Sequence, residues 1–155
     1  MESSEALTAE MQLASRIKHG ANWFFWIAGL SLANSVILLA GGKWSFVVGL
    51  GVTQLVDLTA LFAKKDFGHA TLVNAIALGV NAFVAGFFIL FGVFARKRYI
   101  APFVVGMVLY VIDGVVLALF EEWLSVVFHA LVLWWLFGGL RACRGLARET
   151  TGLTQ

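Results

Sequence analysis

Charged residues are almost confined to the gaps between five long apolar stretches, at residues 22–41, 45–63, 70–95, 100–120 and 124–140. Each stretch is close to the ~20 residues that a helix needs to cross a hydrocarbon core of ~30 Å. Inside a bilayer the protein itself must satisfy every backbone N–H and C=O, so such segments fold as a helical bundle. The sequence therefore predicts an all-α membrane protein with a bundle of five transmembrane helices. Composition agrees, because 61% hydrophobic residues, 13% charged residues and a mean hydropathy of +0.90 rule out water as the main solvent. The length of 155 residues holds one domain. It divides into an amphipathic segment at 1–20, the bundle at 21–142 and a polar, mobile tail at 143–155.

The first twenty residues lack the apolar core of a signal peptide. Within them Leu7, Met11, Ala14 and Ile17 fall on one helical face. Glu5 and Glu10 come early and Arg16 and Lys18 late, an order that suits the helix dipole. Trp23 and Trp26 follow at once, as they would at a headgroup boundary. An N-terminal interfacial helix lying on the membrane is the expected result.

Two topologies compete. Loops 64–69 and 121–122 share one face, called A. With five spans the N-terminus is also on A, which then holds four cations against seven on face B. If the second segment is re-entrant, the N-terminus joins residues 96–98 and the tail on face B, and the split becomes three against eight. Both arrangements make loop 96–98 and the C-terminus cytoplasmic by the positive-inside rule. A faint repeat favours five spans. Phe46-Val47-Val48-Gly49 precedes Asp57 much as Phe103-Val104-Val105-Gly106 precedes Asp113.

Polar residues inside apolar segments carry the functional signal, since a charge at mid-membrane costs at least ~2.5 kcal/mol on insertion scales. Asp57 lies seven residues before Lys64, Asn74 five after His69, Asp113 eight before Glu121 and His129 seven after Glu122. At 1.5 Å per residue all four sit ~8–12 Å below face A. Gln54 and Thr53 neighbour Asp57 on its helix, and Tyr110 neighbours Asp113. Asn74 and Asn81 make a polar stripe on the third segment. The sequence thus nominates a binding site of Asp57, Asp113 and His129, oriented by Asn74, Tyr110 and Gln54, with Glu121 and Glu122 attracting cations at its entrance. Asn34, counted toward face B in the five-span scheme, falls outside this layer.

Such a site suits binding or passage of a proton, a small ion or a small molecule. Two rivals stand beside it: an accessory or scaffolding subunit that binds another membrane protein laterally, and a small membrane enzyme. An interhelical hydrogen-bond network that fixes packing is the structural reading of the same residues. No catalytic group is identified. No Gly-rich phosphate loop, CxxC or HExxH occurs, the three histidines do not suit a bis-histidine haem, and no metal ligand set or cofactor is indicated. The net charge of +2 comes without a basic stripe, which excludes nucleic acid as a partner. The expected partners are the lipid bilayer and a membrane protein or a second copy of the chain. Cys143, the only cysteine, reads as inert. Ala82 and Gly86, Gly29 and Ala33, and Ala75 and Gly79 are small pairs at i, i+4, expected at internal helix crossings.

Overall fold

The computed structural model describes residues 2–42, 49–67 and 70–152. Among them are five helices: α1 (Glu2–Leu39), α2 (Gly51–Phe67), α3 (Ala70–Arg96), α4 (Ile100–Leu119) and α5 (Trp123–Gly152). Four are long and apolar enough to cross a membrane, over Leu7–Leu39, Ala70–Arg96, Ile100–Leu119 and Trp123–Arg148. The polar residues that are buried lie inside the bundle, while Phe83, Val108, Ile112 and Trp134 face outward. That inside-out arrangement is what lipid selects. The chain is thus a helical bundle with the character of a multi-pass membrane protein.

The five-span count is not confirmed. The second expected span falls partly on residues 43–48, outside the described residues, and α2 has only 17 residues. Its start explains more than its length. The N–H groups of Gly51 and Val52 donate to Asp113 at 2.8 and 2.9 Å, and that of Leu50 donates to the Ser31 hydroxyl at 2.7 Å. Asp113 is six residues from the end of α4 and Ser31 eight from the end of α1. By helical rise α2 therefore starts ~9–12 Å inside the bundle. It then runs back along α3, and Ala60 and Ala63 of α2 line a shared groove with Val73 and Ala77 of α3. Helix α1 ends at face A, Gly49 and Leu50 lie inside the bundle, and α2 runs outward from there.

The N-terminal segment is not a separate interfacial helix either. It continues α1 without a break, and the tail continues α5 to Gly152. At ~57 Å, α1 is far longer than a bilayer core is thick. The Arg96 guanidinium donates to Asn22, which fixes Asn22 at the level of the α3 terminus. The residues before Asn22 thus project past face B and pair with the end of α5, burying Ile17, Ala142, Cys143 and Leu146. Arg98 meets Glu10 at 3.4 Å there, and the Cys143 thiol donates to the Arg98 carbonyl. A polar helix persists in this region because a neighbouring helix covers its apolar stripe.

Helices α1 and α5 cross at Gly20 and Gly139, where a Cβ on Gly20 would lie 2.8 Å from the Gly139 Cα. The expected small-residue pairs do not make this crossing. Gly29, Gly79 and Gly86 have nothing within 4 Å of an added Cβ, so they face outward. Three helices end in the same way, with the last carbonyls bonded by N–H groups three and five residues on. Gly41 takes the left-handed position after α1, but Arg98 and Glu121 take it after α3 and α4. A side chain there costs roughly 1–2 kcal/mol. At Arg98 the Glu10 pair and the Cys143 thiol hold the turn in place.

This topology makes a prediction that separates it from five spans. In a Cys143→Ser background, Ser3→Cys and Lys97→Cys should react with an impermeant thiol reagent from the same side, and Glu121→Cys from the other. Five spans would place positions 3 and 121 together.

Candidate intramembrane polar site

The polar layer forms around the first turn of α2. A helix start leaves its first N–H groups without backbone partners, and in lipid no water can take them. Gly49 and Gly51 let this turn press between its neighbours. A Cβ on Gly49 would strike the Asn34 amide, and one on Gly51 would strike Leu117. The Asp113 carboxylate then caps the turn with both oxygens, where its charge also suits the positive end of the helix dipole. Thr53 closes the turn by donating its hydroxyl to the Leu50 carbonyl at 2.7 Å.

Behind Asp113 stands His129. Its Nδ1 lies 2.8 Å from the Ser125 carbonyl and its Nε2 lies 3.0 Å from Asp113 Oδ2. A carbonyl only accepts, so Nδ1 carries a hydrogen. A second hydrogen must then lie between Nε2 and the carboxyl oxygen. Whichever atom holds it, the pair as a whole is neutral: imidazolium with carboxylate, or imidazole with carboxylic acid. Tyr110 stacks on the imidazole at 4.0 Å with an interplanar angle of 14°. This pair is therefore capped, stacked and charge-balanced.

Asp57 is held differently. Its carboxylate is 1% exposed and accepts from the Asn81 amide at 2.7 Å. The same amide donates to the Ser35 hydroxyl at 2.8 Å, and Ser35 in turn donates to the Ser31 carbonyl. All these partners are neutral. Among the described residues no cation is paired with Asp57. Lys64 lies seven residues along the same helix, ~10 Å away by helical rise. Asn81 Oδ1 is buried beside Asp57 with no hydrogen-bond partner. Asp57 thus sits among oxygens from α1, α2 and α3 with no cation at ion-pair distance among the described residues.

The expected trio is consequently two arrangements joined through one helical turn. Asp113 and His129 meet directly, while Asp57 lies on the other side of the α2 start. Tyr110 reaches His129 by its ring, and its hydroxyl is buried without a partner. Asn74 and Gln54 are half-buried and bond none of the three. Glu121 and Glu122 are exposed in the α4–α5 turn. Asn34 belongs with the layer after all, since α1 ends at face A. Sequence reasoning undervalued Asn81, Ser31 and Ser35. A four-residue spacing of the serines, with Asn34 between them, was the available signal. Among the described residues no three of His, Cys, Asp and Glu converge as metal ligands. Comparisons with protein-family models, curated proteins and solved structures gave no match.

The two aspartates should respond differently to the same change. Asp113→Asn replaces one accepting oxygen by an amide that opposes the N–H donors of α2. Each stranded buried N–H costs about 1–3 kcal/mol. Asp57→Asn keeps an acceptor for Asn81 and removes an uncompensated charge, so it should be near neutral or stabilising. Unfolding of both variants in mixed micelles measures the difference, and equal losses would contradict it.

Proposed function

We propose that the bundle binds a proton or a small monovalent cation at Asp57, reached from face A. The observation that supports this is a buried carboxylate with neutral partners only, beside an acceptor oxygen that lacks a donor. An isolated ion removed from water carries a penalty of several kcal/mol, which a bound proton or cation relieves. Asp57, the Ser35 hydroxyl and the Thr53 carbonyl converge on the Asn81 amide nitrogen, so a turn of that amide would exchange its nitrogen for Oδ1 and complete a set of hard oxygens for a monovalent ion. One carboxylate suits a single positive charge better than a divalent ion, which takes more charged ligands. The Asp113–His129 pair positions the α2 turn that carries the site. The aromatic group Phe24, Phe88, Phe103 and Tyr110 packs together in the bundle on the face B side of this layer. The eight cations at the N-terminus, loop 96–98 and tail orient face B to the cytoplasm.

The test uses an apolar carbodiimide, which adds to a protonated carboxyl in an apolar setting. The purified protein should be modified at Asp57, as located by peptide mapping, and sodium or lithium should slow the reaction. Asp57→Asn should abolish both the labelling and any cation-dependent proton movement in proteoliposomes. A carboxyl at position 57 that stays unmodified with and without sodium would end this reading.

A second reading rests on the outside of α3. Ala75, Gly79, Ala82 and Gly86 form a stripe along one face, with open space over both glycines. Small residues let helices approach in lipid, where packing rather than hydrophobicity drives association. The surface suits a second copy of the chain. Energy transfer between donor- and acceptor-labelled copies in vesicles should be lost in Gly79→Leu and Gly86→Leu. Transfer that these variants leave unchanged would remove the stripe from consideration.

A further inference from the structure

A cleft of about 390 Å³ opens between α1 and α5 on the face B side. Ser15, Arg16 and His19 line it from α1, and Trp134 and Gly138 from α5. Trp135 forms its inner wall, stacked on Trp23 at 4.4 Å and 5°. The floor is the Gly20–Gly139 crossing, where neither helix carries a side chain. The cleft owes its existence to that crossing.

Its depth can be read from neighbouring contacts. Asn22 marks the level of the α3 terminus, where it receives Arg96. His19 and Arg16 lie three and six residues further out, ~4.5 and ~9 Å by helical rise. Gly139 packs against Phe103, one turn into α4. The cleft thus straddles the boundary where a phospholipid carries its phosphate. Inward of it, Trp26 lies seven residues from His19, and Leu131 seven from Gly138, so each continues the lining face of its own helix. Both are exposed, as is Trp134 at 76%.

A cation and neighbouring hydrogen-bond donors lie outward and apolar surface lies inward, in the order of a phospholipid's own parts. These polar groups are also available. Among the described residues neither Arg16 nor His19 has an ion-pair partner, and the nearby Glu10 is held by Arg98. An arginine matches a phosphate with two parallel N–H donors, and Ser15 and His19 supply further donors beside it. Indole side chains at this depth are the usual anchors of the lipid boundary.

We propose that this cleft is a binding site for an anionic phospholipid, with the phosphate held by Arg16 and His19 and the acyl chains laid over Trp26, Leu131 and Trp134. It is independent of the Asp57 site.

The test is native mass spectrometry of the delipidated full-length protein with phosphatidylglycerol or phosphatidylcholine of identical acyl chains. Phosphatidylglycerol should be retained in preference, and Arg16→Gln should reduce that preference about five-fold, the worth of one cation at a membrane surface. Trp134→Ala should weaken retention of both lipids, because the chains lose their contact. Arg148→Gln, an exposed cation further along α5, should change nothing. Millimolar inorganic phosphate should fail to displace the lipid. Equal retention of the two lipids would overturn the proposal. Displacement by phosphate would do so as well, since the site would then be one for a free anion. An Arg148→Gln loss matching that of Arg16→Gln would also overturn it, by reducing the effect to diffuse surface charge.

Discussion

A helix that begins inside a bilayer has N–H groups that no water can reach, and the remainder of this bundle is arranged around meeting them. Asp113 takes two and Ser31 a third. Each demand then passes outward to another helix. Asp113 needs a donor or a positive charge, which His129 supplies from α5. His129 needs an acceptor for its other nitrogen, which the Ser125 carbonyl supplies one turn earlier. Ser31 and Ser35 return their hydroxyl protons to carbonyls of their own helix. Low dielectric makes each of these bonds strong and each omission expensive.

The same logic separates the two aspartates. Polar groups that complete a network hold structure, and those left with charge to spare are available for chemistry. Asp113 is surrounded by donors on both oxygens and forms a neutral pair. Asp57 accepts from a neutral group and has no ion-pair partner among the described residues. Their similar settings in the sequence conceal opposite situations in the fold.

Much of this was legible in the sequence, and the failures have identifiable causes. The apolar segments and the tight turn at Glu121-Glu122 were enough to bring Asp113 level with His129, because an antiparallel hairpin leaves no freedom of register. The start of α2 was not legible. An apolar run shows that a segment tolerates lipid, not where its helix begins, and Gly49 and Gly51 read equally well as packing residues in a continuous span. The resemblance between residues 46–49 and 103–106 then argued for that span, although 46–48 lie outside the described residues and Asp57 and Asp113 have unlike partners. Asn34 was assigned to the wrong end by the same error. Trp23 and Trp26 read as a headgroup boundary, with an interfacial helix lying on the membrane before it. Instead α1 continues straight past it, because α5 also continues and covers its apolar side. The close crossing uses one glycine from each helix, a contact without sequence period, whereas the periodic small residues face outward.

The bond from Gly51 to Asp113 spans 62 positions in the chain. During synthesis α2 therefore emerges long before its cap exists. Until α4 has been made, those N–H groups need water or another partner, so the second helix of the chain cannot complete its cap in the order in which it is synthesised.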